Sequence, residues 1–339
     1  MTAPAHARRR LGLAIAAIGM SGPIACAHRP APEAIGGKRA LDGVRAESPV
    51  VTPAPPPAAQ NPSPMSESTR AHGRISPHAP DTQRLIIDSL LPRPVELHLP
   101  LVGTGPDTVA LLVHFLGPAY IAVDAAQQSD RSMLVAVVNL APGSSAYERP
   151  FKGTDGWQRF LTRIAAEASR ARGKPVTLGN VYLSAFSAGN GAVRAILADS
   201  AAAAVRGVVI LDGIHTGYVP DRRVLADSGS LDPANLQSIA RYAARAVRGD
   251  VQLLVTHSEV FPGTFASTTE TADWLLRTLD IRRSAVLAWG PNGMQQLSLA
   301  RAGGFTLMGF AGNSAPDHLD HLHALRAWLP QVVSPSAAR

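Results

Sequence analysis

From residue 95 onward the apolar positions of this chain fall into short unbroken runs, and between the runs they recur every three or four residues. Residues 95–99 alternate apolar and polar as an outer strand does, whereas 108–114, 133–139, 180–185, 207–211, 251–256, 285–289 and 305–310 are nearly continuous. Continuous apolar strands suit a parallel sheet covered on both faces. Between them Trp157, Phe160, Leu161, Ile164, Ala165 and Ala168 follow helical spacing, with Thr154 placed to cap, and Val193, Ile196 and Leu197 do the same. Ser267 and Glu270 have capping-box spacing ahead of Trp274, Leu275 and Leu276. The alternation predicts one α/β domain over residues 83–333, a doubly wound, mostly parallel sheet with helices on both faces. A small helical insert is expected between two late strands, over residues 217–249.

Composition divides the rest of the 339 residues. None of the 17 aromatic residues precedes Phe115, and 11 of the 28 prolines lie between Ala27 and Asp81. Such a stretch buries too little apolar area to offset chain entropy, which predicts a disordered tether over 27–82; residues 334–339 read as a short disordered tail. Residues 1–26 carry Arg8, Arg9 and Arg10, then an apolar stretch of about ten residues where a membrane span needs about 20. Small residues follow up to Cys26, in the outline of a secretory signal. The only cysteine of the chain stands directly after Ile24-Ala25 and resembles the lipidated cysteine of a bacterial lipoprotein signal. That resemblance implies export and a lipid anchor in the cell envelope; the other reading is a plain signal cleaved nearby. With no second cysteine, no internal disulfide can form. The formal charge of +7 includes the three arginines of the signal, so +4 remains beyond it, and no Lys/Arg run alternates with aromatics. Nucleic acid is therefore unsupported as a partner.

The chemistry concentrates in residues 180–191, where a predicted strand runs through Ser184-Ala185-Phe186 into Ser187-Ala188-Gly189-Asn190-Gly191 and a predicted helix. A nucleophile on a sharp strand-to-helix turn needs small residues two before and two after it. Ser187 has Ala185 and Gly189 there, whereas Ser184 has Tyr182 and Phe186. Its position ahead of a helix N-terminus favours a developing anion.

With this elbow, and with His114-Phe115-Leu116-Gly117 at the end of an earlier strand, the chain resembles the α/β-hydrolase family over about residues 95–330. The resemblance implies an oxyanion hole made by the amides of Leu116 or Gly117 and of Ala188. It also implies the chain order serine, acid, histidine. The loop after residues 305–310 leads to His318, with His321 as the other base. For the acid, Asp212 ends one strand and Glu259 follows the next by three residues. Asp317 suits a helix N-cap. His215 and His257 neighbour the acids at strand ends, and Tyr147, Glu148, Arg222, Arg223, Arg241 and Arg245 fall on segments expected to rim the cleft.

No metal or cofactor is expected. His318 and His321 share a helix face but lack a second ligand cluster, and no phosphate-cradling glycine motif follows a strand. The expected activity is an exported serine hydrolase acting on small or sugar-linked esters, its membrane contact limited to the anchor at Cys26 and its oligomeric state left open. The alternative is a non-catalytic envelope lipoprotein using this fold as a binding module. Replacement Cys26→Ser is expected to abolish palmitate incorporation and release the protein from the membrane fraction. Palmitate labelling that persists in the variant overturns lipidation at that residue.

Overall fold

The computed structural model describes residues 76–101, 107–153 and 155–333; the signal, Cys26, most of the tether and the tail lie outside the described residues. The elements run β1 (Thr82–Ile87), β2 (Val95–Pro100), β3 (Thr108–Phe115), α1 (Ala119–Ser129), β4 (Leu134–Val138), α2 (Ser144–Glu148) and α3 (Gly156–Arg172). There follow β5 (Thr177–Phe186), α4 (Asn190–Ala198), β6 (Val205–Leu211), β7 (Tyr218–Val219), β8 (Ser230–Leu231), α5 (Gln237–Val247) and β9 (Gln252–His257). The chain then forms α6 (Thr268–Thr278), β10 (Ser284–Trp289), β11 (Gln295–Ala302), β12 (Phe305–Phe310), α7 (Ala315–His323) and α8 (Leu325–Trp328).

Ten strands make one sheet in the order β1-β2-β4-β3-β5-β6-β9-β12-β11-β10. The six from β4 to β12 are parallel, and the outer pairs are antiparallel. Side chains of a strand alternate between faces, and here both faces are buried. Along β6, Val208 and Ile210 join the core under α3 to α6, while Val209 and Leu211 join the core under α1, α7 and α8. Val208 to Leu211 is thus an unbroken apolar run, with Arg206 the exposed position of the strand, and each such apolar side chain contributes roughly 1.5–3 kcal/mol when fully buried.

The run at 285–289 departs from that rule. It forms β10, the outer strand of a hairpin with β11, and Leu287 and Trp289 are 79% and 76% exposed. Continuous apolarity reports what a strand is made of, not what lies over it. The domain also starts earlier than its composition indicates: β1 begins at Thr82, and within 76–81 His78 bonds Asp124 of α1 at 3.1 Å and packs on Tyr120. In the insert, β7 and β8 form a two-stranded ribbon, while α5 packs on the sheet through Ile239, Tyr242, Ala243 and Ala246. Of the described helices none is long and apolar enough to cross a membrane.

The capping box at Ser267 and Glu270 is formed in full. A second one at the start of α7 has Ser314 as the cap and Asp317 as its third-position partner, so Asp317 is not the N-cap itself. Two helices meet closely at the elbow. A Cβ on Gly191 of α4 would overlap the Ser144 carbonyl at the start of α2. Gly191→Ala is therefore expected to cost about 3 kcal/mol, read as a lower urea midpoint; an unchanged midpoint contradicts this close approach.

Candidate active site

Three neighbouring parallel strands end alike. Directly after β3, β5 and β6 stand Leu116, Ser187 and Asp212, with φ of 69°, 49° and 44°. None is glycine, so each left-handed turn costs of order 1–3 kcal/mol and persists because the strands on either side dictate it. At the elbow the demand for small residues has a visible cause. A Cβ on Gly189 would overlap the Phe115 carbonyl oxygen, and one on Gly213 would lie 2.7 Å from the Ser187 carbonyl oxygen.

The Asp212 carboxylate is completely buried and receives four hydrogen bonds. Its Oδ1 accepts from the Ser258 N–H at 2.9 Å and the Thr268 hydroxyl at 2.5 Å; its Oδ2 accepts from the Ser258 hydroxyl at 2.6 Å and His318 Nδ1 at 2.7 Å. Burial opposes ionisation, yet the electrostatic pull of His321 and the hydrogen bond and charge of His318 hold this carboxyl well below the usual carboxylate range. Nδ1 donates to the carboxylate, so in the neutral imidazole the lone pair is on Nε2, and that atom has no hydrogen-bond partner. The imidazole packs on Phe186 with ring centroids 4.4 Å apart, against the residue that precedes Ser187.

His321, the other base considered, is turned elsewhere: its Nδ1 lies 2.8 Å from the Thr256 hydroxyl. Burial lowers its pKa while Asp212 opposes that shift. Glu259 is exposed, and the structure does not bring it to His318. His257 is buried behind Ser258. Its Nε2 faces the Arg283 guanidinium at 3.1 Å, so the proton sits on Nδ1, which reaches the Ser258 carbonyl at 3.2 Å. Burial first, then Arg283, lowers its pKa to about 4.

The expected oxyanion loop differs from its reading in sequence. The Leu116 N–H donates to the Val138 carbonyl at 3.1 Å, and the Gly117 N–H donates to Asn139 Oδ1 at 2.9 Å. Asn139 returns a bond to the Gly117 carbonyl, so both amides serve the junction of β3 and β4. Of the three anticipated donors this leaves Ala188, in the first turn after Ser187. His114 supports the loop from beneath, bonding Ser184 at 2.8 Å; burial lowers its pKa to about 4. A Cβ on Gly117 would meet the His114 ring at 2.5 Å.

A cleft of about 500 Å³ opens beside Ser187 and Ala188, bounded by Gly143, Arg194, His215 and Phe265 among others. Arg194 is ion-paired with Glu148 at 2.5 Å. Tyr147 is buried, its hydroxyl accepting from the Leu140 N–H, and Arg222, Arg223, Arg241 and Arg245 do not line this cleft. Among the described residues no group of three or more His, Cys, Asp or Glu is placed to hold a metal.

The strained elbow mid-sheet, followed in chain order by Asp212 and by the His318 that it bonds, completes the architecture. The chain has the α/β-hydrolase fold. It matches no protein-family model and no curated protein sequence. Solved structures overlap it weakly. The poly(3-hydroxybutyrate) depolymerase LpqC of Bordetella parapertussis is 18% identical over 76% of this chain and 92% of its own, with a TM-score of 0.43. Carboxyl esterase 2 of Tuber melanosporum is 12% identical over 80% and 97%, with a TM-score of 0.42. The BES protein of Bacillus cereus is 11% identical over 78% and 99%, with a TM-score of 0.44. The fold rests on the strand order and the elbow, not on these overlaps.

Ser258, Thr268 and Asn139 went unnoticed in the sequence because a lone hydroxyl or amide in a loop has no spacing signature. The one available signal was that Ser258 directly follows His257 at a strand end. Because the Asp212 pKa is lowered on folding, its charge stabilises the fold above the unfolded value, near pH 4, and that stabilisation is lost as the pH falls further. Asp212→Asn is accordingly expected to cost about 3 kcal/mol at pH 7, with the gap to the parent narrowing below about pH 4. Urea midpoints measured across this range check it; a gap independent of pH contradicts it.

Proposed function

We propose that the protein is a serine hydrolase that cleaves carboxylic esters through an acyl-enzyme on Ser187, exported and held at the cell envelope by a lipid on Cys26. The observation that carries the catalytic reading is the buried Asp212–His318 hydrogen bond at 2.7 Å beside a left-handed Ser187, with His318 Nε2 left without a partner.

In this mechanism His318 Nε2 takes the Ser187 hydroxyl proton as Oγ attacks the ester carbonyl carbon. Asp212 fixes the tautomer and stabilises the imidazolium that forms. The negative charge reaching the carbonyl oxygen is met by the Ala188 N–H and the start of the helical turn. Collapse of the tetrahedral adduct breaks the bond to the alcohol, which leaves with the proton from His318. Water then repeats the sequence, its proton passing to His318 and its oxygen to the acyl carbon, and Ser187 is released with the acid. A cleft of about 500 Å³ whose one arginine is matched by Glu148 suits a small uncharged ester, sugar-linked esters included.

A fluorophosphonate probe is expected to label the parent protein and to fail on Ser187→Ala and His318→Ala. Ester turnover in those variants is expected to fall about ten-thousand-fold, and a large fall is expected for Asp212→Asn. Folded parent protein that resists labelling overturns the enzyme reading in favour of a binding module; full turnover in Asp212→Asn overturns the choice of acid.

A further inference from the structure

The cleft beside Ser187 has few polar groups with unspent hydrogen-bonding capacity. The Thr216 hydroxyl donates to the Asp232 carbonyl at 2.8 Å, and Asn235 Nδ2 approaches Thr216 Oγ1 and Asp232 Oδ2 at 3.3 Å each. Arg194 is held through its terminal nitrogens by Glu148 and, at 3.4 Å, by the His215 carbonyl, and only its Nε has no partner. His215 differs from these in having no side-chain polar atom engaged. Its side chain sits in the cleft wall 8% exposed, set edge-on to Phe265 with centroids 5.3 Å apart, and neither ring nitrogen has a partner. Buried polar groups are paired almost everywhere in folded proteins, so two unpaired nitrogens beside a nucleophile call for a ligand.

The chemistry of that ligand follows from the ring. Burial, with the nearby His318, lowers the His215 pKa to about 4, so at neutral pH the imidazole is uncharged. A neutral imidazole offers one N–H donor and one nitrogen acceptor. A carboxylate or phosphate on the substrate would need a free cation, and the cleft arginine is already matched by Glu148. A hydroxyl, which both donates and accepts, fits this group.

We infer that His215 is a specificity residue of the Ser187 cleft, and that the ester it selects carries a hydroxyl near the scissile carbonyl, bonded to the imidazole. This rests on the serine-hydrolase reading. The hydroxyl can belong to the acyl part or to the alcohol part, and matched substrates separate the two.

On the acyl side, 4-nitrophenyl butyrate is compared with its 2-hydroxy and 3-hydroxy counterparts; on the alcohol side, propyl butyrate is compared with glycerol monobutyrate. In the parent the hydroxylated member of at least one pair is expected to be favoured about tenfold in kcat/KM, the range of one neutral hydrogen bond. His215→Phe keeps the ring and removes both nitrogens. In that variant the ratio is expected to fall to about one, chiefly through KM of the hydroxylated ester. His215→Gln, which restores a donor and an acceptor, is expected to recover part of the ratio. No discrimination by the parent in either arm overturns the inference, as does a ratio that survives in His215→Phe. Labelling of the parent by the fluorophosphonate probe distinguishes the two levels: an unlabelled parent rejects the hydrolase reading, whereas a labelled parent without hydroxyl preference rejects only the role of His215. Should His215→Phe fail to fold, the ratio in His215→Gln decides: a value intermediate between one and that of the parent supports the role, and an unchanged value overturns it.

Discussion

A carboxylate with no exposure to water has to be held by the protein alone, and Asp212 is such a group. Transferring an unpaired carboxylate into a protein interior is prohibitively costly, so the carboxyl would take up a proton unless donors surrounded it. Four donors do so, and they come from three places in the chain: Ser258 after β9, Thr268 at the start of α6, and His318 in α7. The same constraint sets the tautomer of His318, because the donor toward the carboxylate must be Nδ1–H. What surrounds the elbow can be read as the arrangement that keeps this one charge in place.

The support extends a layer further. Arg283 contributes only donors, which makes the Nε2 of His257 an acceptor and directs Nδ1–H to the Ser258 carbonyl. Ser258 then presents its N–H and hydroxyl to Asp212. Arg283 is itself bonded to Asp273 of α6 and, at 3.3 Å, to Ser298 of β11. The hairpin β10–β11 is thereby linked by hydrogen bonds to the acid, although none of its residues lines the cleft. Left-handed turns after β3, β5 and β6 are affordable in the same sense, since apolar cores on both faces of the sheet stabilise the strands that feed them.

The elbow was legible from sequence because its requirements are local. A buried strand, Ala185, Ser187, Gly189 and a helix lie within a dozen residues, and the steric rule that selects Ser187 over Ser184 depends on nearest neighbours alone. The histidine that meets Asp212 was legible almost as directly, as the first one after the last strand. The carboxylate that His318 bonds was not, because β6 and β9 are adjacent parallel strands and their C-terminal ends arrive at the same place. Chain order admits both Asp212 and Glu259; the choice appears only when the end of β9 is seen to supply the Ser258 donors to Asp212 while Glu259 faces outward. The partners of the loop after β3 were hidden for a related reason. Its glycine and its position fit an oxyanion loop, but Asn139 lies 22 residues away and engages the Gly117 amide through space.

Periodicity and local sequence by themselves determined the alternating α/β architecture and the strained turn at Ser187. Both follow from the backbone and from neighbours in sequence. Which carboxylate meets which histidine, which loop amides the neighbouring strand engages, and that β10 lies at the sheet edge with Leu287 and Trp289 exposed were decided only by the tertiary structure. Hydrogen bonds and burial are pairings across the sheet, and a chain read in order carries no record of which strand ends will meet.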